Sequence, residues 1–391
     1  MSVKKVILKP GKEKALLRNH PWIFSGAVKY SEGDPADGDF VEVYDNENNF
    51  LAAGHYQPGS IVVRIIKYSP GIPDDEFWTK MLENAAARRK EIIDVSNTNV
   101  FRLVHGEGDY LPGLIVDIYK DVAVLQAHSA GMFRSMNEIA KALSELKFPQ
   151  IKAVYNKSRN TFSGNGLNES ADCFISGESS PEIAVKENGL LFNVNIAEGQ
   201  KTGFFIDQRE NRQLLRNYAK GKTVCNLFSY TGGFSVYALA GGATEVVSID
   251  SSKSALEMAG TNAGLNGFTT HSTLQMDISK DFGKSDRKYD LIIVDPPAYA
   301  KQLSQRNNAM KAYARLNADV MTKITHGGII FTFSCSQAVN FEDFRSAIFS
   351  AALTAGKKVR ILQRLTQPPD HAVSIFHPEG EYLKGLVLMV E

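Results

Sequence analysis

At 391 residues the chain is too long for one compact core, so two or three domains are expected. Hydrophobic residues make up 43% and charged residues 22%, a globular balance that excludes a disordered or fibrous chain. A formal net charge of +1 rules out a globally basic nucleic-acid binder, although charge is distributed unevenly.

Residues 1 to about 70 read as short strands. They are Lys4–Leu8, Phe40–Tyr44 and Phe50–Tyr56 around an Asp45-Asn46-Glu47-Asn48 turn, and Ile61–Ile66. Short strands separated by Gly, Asp and Asn turns predict a small β-barrel or barrel-like module. Its first thirty residues carry Lys4, Lys5, Lys9, Lys12, Lys14, Arg18 and Lys29 against Glu13. That local excess suits a phosphate backbone, and it equally suits a solvated face. Ser69-Pro70-Gly71-Ile72-Pro73-Asp74 then punctuates the chain as a linker.

From Asp74 to about Ile92 an apolar stripe of Phe77, Met81, Leu82 and Ala85 predicts a helix with a basic end. Strands at Phe101–Val104, Leu114–Tyr119 and Val122–Ala127 follow, then a helix over about 131–147 and a strand at Ala153–Asn156. Residues 158–181 are polar and rich in Gly and Ser, and are expected to form a loop or second linker. Beyond about residue 185, strands alternate with helices, the mark of a mostly parallel α/β sheet. The predicted strands are Thr223–Phe228, Glu245–Asp250, one near Ser272–Met276, Tyr289–Val294, Gly328–Phe333 and Leu386–Val390.

Three cysteines, Cys173, Cys225 and Cys335, give neither a disulfide framework nor a metal-ligand spacing. A reduced, cytoplasmic setting and no metal are therefore expected. The start of the chain lacks a secretory signal, and no apolar run approaches the roughly 20 residues needed to span a bilayer. A soluble protein without a membrane partner is the expectation.

In an open α/β sheet, ligands bind at the carboxyl ends of the strands. Asn226-Leu227-Phe228-Ser229-Tyr230-Thr231-Gly232-Gly233-Phe234 follows the first of these strands, and its glycines permit a tight turn and close approach to a ligand. The segment lacks the G-x-G-x-x-G spacing of a dinucleotide site, which disfavours a nicotinamide dehydrogenase. Asp250 ends the second strand, where it can accept hydrogen bonds from ribose hydroxyls. Asp277 ends the third, placed to receive an adenine amine. Taken singly, each is ordinary turn chemistry; their strand-by-strand order makes the case.

Asp295-Pro296-Pro297-Ala298-Tyr299 closes the fourth strand, and its prolines fix an extended turn that leaves carbonyls and a carboxylate facing the pocket. Such a group can hold the amine edge of a base beside a methyl donor. Phe331-Thr332-Phe333-Ser334-Cys335-Ser336 puts Cys335 at the end of the fifth strand, whereas Cys225 sits inside its strand as a small hydrophobe. Methylating carbon 5 of a pyrimidine needs such a thiol, because that carbon becomes nucleophilic only after a thiolate adds to carbon 6. Methylating a nitrogen does not, since the amine lone pair attacks directly.

These motifs, with Gly203-Phe204-Phe205-Ile206-Asp207-Gln208-Arg209, Leu8-Lys9-Pro10-Gly11-Lys12 and His20-Pro21-Trp22-Ile23-Phe24, resemble the large-subunit ribosomal RNA methyltransferase I family. The resemblance implies a class I Rossmann-like S-adenosylmethionine methyltransferase domain (183–391), a central α+β domain (73–182) and an N-terminal PUA-like RNA-binding domain (1–72). It implies 5-methylcytosine in 23S rRNA as the product, Cys335 as nucleophile and Asp295 as the contact to the target cytosine. Asn226, Phe228, Tyr230, Gly232, Asp250, Asp277 and Asp295 would surround S-adenosylmethionine, with Gln208 and Arg209 at the pocket mouth. The fourth-strand motif lacks the second cysteine of many RNA 5-methylcytosine enzymes, holding Pro297-Ala298 instead, so the base that removes the carbon-5 proton is unassigned.

Lys4, Lys9, Lys12 and Arg18, with Lys301, Lys311 and Arg315 after the Asp-Pro-Pro motif, are the expected RNA contacts. A base methylated at a ring carbon must leave its stack, so a flipped or single-stranded target is implied. His20-Pro21-Trp22 is read as barrel core and turn. The stretch holding His371 and His377 is read as a substrate loop with an acid–base histidine, or as a plain surface loop. The competing functions are a base N-methyltransferase, such as one making 7-methylguanine, and a non-catalytic RNA-binding protein. A homodimer is compatible with the sequence.

Overall fold

The computed structural model describes residues 4–159, 161 and 172–391. They divide into two compact units. One comprises residues up to Val185 with Val194–Phe204 and Pro369–Gly380; the other comprises Lys186–Asn193, Phe205–Pro368 and Glu381–Glu391.

The first unit opens with a six-stranded sheet made of β1 (Lys4–Leu8), β2 (Trp22–Phe24), β3 (Val28–Glu32), β4 (Phe40–Tyr44), β5 (Phe50–Tyr56) and β6 (Ile61–Lys67). Its order is β2-β6-β5-β4-β1-β3, and the short helix α1 (Lys14–Leu17) follows β1. The sheet curls around Val6, Leu8, Val41, Val43, Ala52 and Val63, the inward side chains of its strands.

Helix α2 (Asp75–Ile92) begins where Asp74 accepts the backbone N–H of Phe77, an N-cap that offsets one orphan donor. A five-stranded sheet then forms from β7 (Val100–His105), β8 (Leu114–Tyr119), β9 (Val122–Ala127), β10 (Ala153–Asn156) and β11 (Cys173–Ser176), in the order β11-β10-β9-β8-β7. The helix expected over 131–147 is two pieces, α3 (Ala130–Arg134) and α4 (Met136–Ser144). Part of the predicted 158–181 loop lies outside the described residues. Residues 173–176 are a strand rather than loop, pairing antiparallel with β10. Trp78, Leu82 and Ala85 of α2 and Ile139 and Leu143 of α4 close the core over this sheet.

The stretch holding His371 and His377 is a loop with an exposed outer side, Ile375 being 88% exposed, but its two histidines point inward. Its residues 369–380 group with the first unit, where His371 is 1% and His377 2% exposed. His377 packs edge-on against Trp22 with ring centroids 4.3 Å apart, and Trp22 donates its indole N–H to Glu107. Arg89, on the inward face of α2, forms a fork to Asp109 at 2.7 and 2.6 Å and also donates to the carbonyl of Asp370. His371 thus contacts the carboxylate of Asp370 and His377 packs on Trp22, which is half-buried, while Ile23 beside it is the residue that enters the barrel core.

Strands β12 (Glu182–Glu187) and β13 (Leu190–Asn195) form a hairpin that distributes its residues over both units. The second unit then contains α5 (Arg209–Arg216), β14 (Thr223–Leu227), α6 (Gly233–Ala240), β15 (Glu245–Asp250), α7 (Lys253–Leu265), β16 (His271–Gln275) and α8 (Ile278–Asp281). It continues through β17 (Tyr289–Val294), α9 (Arg306–Thr322), β18 (Ile324–Ser334), α10 (Phe341–Ala355), β19 (Val359–Leu365) and β20 (Lys384–Val390). The seven strands β14 to β20 lie in the order β16-β15-β14-β17-β18-β20-β19. Pairings from β16 through β18 are parallel, while β20 runs antiparallel to both neighbours.

The order reverses between β14 and β17, so the crevice at their carboxyl ends is the natural ligand site of this doubly wound sheet. Its two faces are covered separately. Tyr313, Val320, Phe344 and Ile348 pack on one face, and Leu215, Phe234 and Ala238 on the other. Among the described residues, no helix is long and apolar enough to cross a membrane.

Candidate active site

The crevice is built from four strand tips and the segment before α5. After β14 the chain turns sharply, with Phe228 at φ 56°, Tyr230 at φ 46° and Gly232 at φ 79°. Gly232 is required twice over. Its φ is left-handed, and a Cβ there would stand 2.9 Å from the Cβ of Ala259. The turn is pinned by Asp250, whose Oδ2 accepts the backbone N–H of Tyr230 and whose Oδ1 accepts that of Ser252, each at 2.9 Å. Met276 donates its N–H to the carbonyl of Asp250, joining the next strand tip to the same corner. Phe205 lies edge-on to Tyr230 at 5.2 Å, giving the corner an aromatic wall.

Asp295 leaves β17 half-buried, and its Oδ2 accepts the side-chain amide of Gln208 at 3.0 Å. Asn211, one turn along, donates to Oε1 of Gln208 at 2.6 Å, so the glutamine is oriented from both ends. Tyr382 donates its hydroxyl to Asp207 at 2.7 Å, fixing the same short turn from the segment ahead of β20. Arg209 is 2% exposed and bonds to Glu210.

Cys335 follows β18 half-buried, with its Sγ 3.9 Å from the carbonyl oxygen of Pro296. The thiol and the Asp-Pro-Pro tip therefore share one end of the crevice. Tyr299 and Tyr313 also face the sulfur, and burial raises both phenols, Tyr299 to about 12. Both are neutral near pH 7. Cys225, in contrast, is fully buried inside β14, where desolvation raises its thiol well above the ordinary value.

Two predicted cofactor residues are engaged with partners of their own. Asn226 is 1% exposed and spends its amide on Ser235, which continues to Ser248 and His271 as a buried polar chain. Strand alternation turns it to the α6 side of the sheet. Asp277 begins α8 with an exposed side chain paired to Lys280 at 2.7 Å, and that hydrogen bond holds its carboxyl below the ordinary range. Asn211, Tyr382 and Lys384 escaped the sequence reading. A lysine heading the apolar run Gly385–Val390 was the available signal for Lys384.

Of the expected RNA contacts, Lys9, Lys12, Arg18, Lys301, Lys311 and Arg315 are exposed. Lys311 and Arg315 are four residues apart on α9 and so share a helix face. Lys4 is committed to an ion pair with Asp39 at 2.7 Å.

The profile of S-adenosylmethionine-dependent methyltransferases matches residues 101–377, and that of PUA-like domains matches residues 6–68. Ribosomal RNA large subunit methyltransferase I of Alteromonas mediterranea is 38% identical, covering 98% of each chain. The chain belongs to the ribosomal RNA large subunit methyltransferase I family. Proteins of the same name from Aeromonas salmonicida (39% identical, 98% of each chain) and Escherichia coli (36%, 100% of each) match equally completely.

Among solved structures, a Streptococcus mutans protein assigned as a methyltransferase shares the fold at TM-score 0.84 and 24% identity, covering 99% of this chain and 100% of that one. A methyltransferase-assigned structure in complex with SAH, the demethylated product of the donor, matches at TM-score 0.85 and 25% identity over the same shares. S-adenosylmethionine is the cofactor of this methyltransferase. The corner fits it: Gly232 leaves room where a side chain would collide, and Asp250 carries a half-buried carboxylate beside an aromatic wall.

Proposed function

We propose that this chain methylates carbon 5 of a cytosine in large-subunit ribosomal RNA, with Cys335 as nucleophile and Asp295 as the group that holds the base. The observation that carries the reading is that Cys335 Sγ lies 3.9 Å from the carbonyl oxygen of Pro296, the residue after Asp295. A nitrogen methyltransferase has no use for a thiol at that point.

The chain's own residues divide the work. Asp295, steadied by Gln208, accepts from the exocyclic amine of the cytosine and sets the ring against the sulfur. The Cys335 thiolate forms a bond to carbon 6, and the displaced electron pair makes carbon 5 nucleophilic. S-adenosylmethionine supplies the electrophilic methyl that carbon 5 takes up. A base then removes the proton from carbon 5, and the returning electron pair expels the thiolate from carbon 6. Phe228, Tyr230, Gly232 and Asp250 would hold the cofactor, the carboxylate accepting from ribose hydroxyls. Asn226 would stiffen the strand beneath it. Asp277 would meet the adenine amine, and Arg209, being buried, would brace the turn that carries Gln208 rather than line the mouth.

The PUA-like domain (1–72) would dock RNA, the central domain (73–182) would support it and residues 183–391 would carry catalysis. Lys9, Lys12 and Arg18 on the first, and Lys301, Lys311 and Arg315 beyond the Asp-Pro-Pro tip, would contact phosphates. Lys4 would contribute less, being held by Asp39.

The test uses RNA bearing 5-fluorocytosine, whose fluorine cannot leave as a proton does and so traps the enzyme. A covalent adduct is expected with the native chain, and none with Cys335→Ala, which still binds S-adenosylmethionine. Absence of an adduct from enzyme that methylates ordinary RNA would refute the carbon-5 reading.

A further inference from the structure

Lys384 opens β20, whose other residues are apolar or glycine, and its side chain is only 4% exposed. It pairs in the antiparallel ladder with Ser334, the residue immediately before Cys335. Its ammonium crosses over and donates to the carbonyl of Ser336, the residue immediately after, at 2.7 Å. A second 2.7 Å bond goes to the carbonyl of Tyr382. The turn that presents the thiol is therefore gripped on both sides by one residue.

Burying an ammonium among neutral carbonyls costs free energy that two hydrogen bonds offset in part. The chain keeps the charge there even so, which calls for a partner anion. Cys335, Glu381 and Asp343 face Lys384, and each favours its charged form. Asp343 is already paired with Arg306, and Glu381 is exposed to solvent. Cys335 remains. Around the sulfur, burial holds Tyr299 and Tyr313 neutral, and the Asp295 carboxylate on the neighbouring tip, which accepts from Gln208, opposes a thiolate, so the Lys384 charge has that repulsion to offset. Desolvation holds the Lys384 ammonium down to about 8, so it is mostly charged at neutral pH.

We propose that Lys384 is a positioning residue for Cys335, fixing the turn that carries the thiol and favouring the thiolate through its positive charge. A cation beside a thiol makes it a better nucleophile at neutral pH. The inference rests on the nucleophilic role proposed for Cys335, but it concerns the state of the sulfur and can be read without turnover.

Alkylation of the full-length protein by iodoacetamide is followed across pH, with the peptides holding Cys335 and Cys173 separated by mass spectrometry. Lys384→Met and Lys384→Gln are expected to move the Cys335 midpoint up by about one pH unit, a roughly tenfold loss of alkylation rate near neutrality. Lys384→Arg is expected to keep the native midpoint, and Cys173 to be unchanged throughout. Glutamine can still donate to the Ser336 carbonyl, so it separates charge from turn geometry even where methionine fails to fold. A native midpoint in folded Lys384→Gln would overturn the inference. If that variant also forms the 5-fluorocytosine adduct normally, the nucleophile stands and only the role of Lys384 falls.

Discussion

The side-chain amide of Gln208 donates to Oδ2 of Asp295 at 3.0 Å, and Asn211 donates to the carbonyl end of the same glutamine. A relay from the first turn of α5 thus aims the carboxylate that ends β17. Gln208→Leu leaves Asp295 without this donor and is expected to lower kcat/KM for RNA by about ten- to a hundredfold, roughly 1.4–2.7 kcal/mol. Steady-state methyl transfer from labelled donor checks this. Gln208→Glu sets a second carboxylate against the first and is expected to be worse.

Asp250 serves the turn and the cofactor together, since its two oxygens accept from Tyr230 and Ser252 while the carboxylate stays half-buried at the crevice. Asp250→Ala is expected to raise the Kd for S-adenosylmethionine by at least about tenfold, on the order of 1.4 kcal/mol. Calorimetric titration reads it directly, and a Kd within twofold of native would remove Asp250 from the cofactor site.

Gly232→Ala meets two obstacles, a φ of 79° and the Cβ of Ala259 at 2.9 Å. A loss of about 2–3 kcal/mol in urea unfolding is expected, because strain and overpacking add at one position. The stabilisation by added S-adenosylmethionine is expected to shrink with it.

His55 is 5% exposed in β5, and burial, with Arg64 and Arg134 nearby, lowers its pKa to about 4. The folded value lies below the ordinary 6.5, so the ring is neutral in both states above that pH. As pH falls from 6.5 toward 4, the unfolded chain takes a proton that the folded one refuses, and stability is lost. The total is on the order of 3 kcal/mol. His55→Gln is expected to flatten this part of the stability–pH curve measured by denaturant melts; an unchanged slope would exclude His55 as its source.

Replacing Lys9, Lys12 and Arg18 together by alanine is expected to weaken RNA binding without changing donor affinity. The slope of log Kd against log salt is expected to fall by about two to three, one phosphate contact per cation. Filter binding at several salt concentrations measures it.

The local grammar of the sheet was legible. Leu291–Val294 is an unbroken apolar run ended by Asp-Pro-Pro, and a strand buried on both faces reads that way in any context. The glycine turn after β14 and the strand-end position of Asp250 follow from spacing, and the family from the resemblance of the motifs along the chain. Strand β19 was not legible: Val359-Arg-Ile-Leu-Gln-Arg-Leu is an edge strand with mostly exposed residues, so no face imposes a clean alternation. The face taken by Asn226 was not legible for a related reason, because sequence shows that a residue lies near a strand end but not which side of the sheet its side chain takes.

What the sequence alone determined was the identity of the chemical groups and the strand tip that carries each. Tertiary structure decided which of them meet. The insertion of β20 between β18 and β19 sets Lys384 opposite Ser334, fifty residues away in the chain, and brings its charge to the sulfur next door. Such a pairing is governed by the register of strands that are distant in sequence, and register is an outcome of packing the whole sheet rather than of any local run of residues.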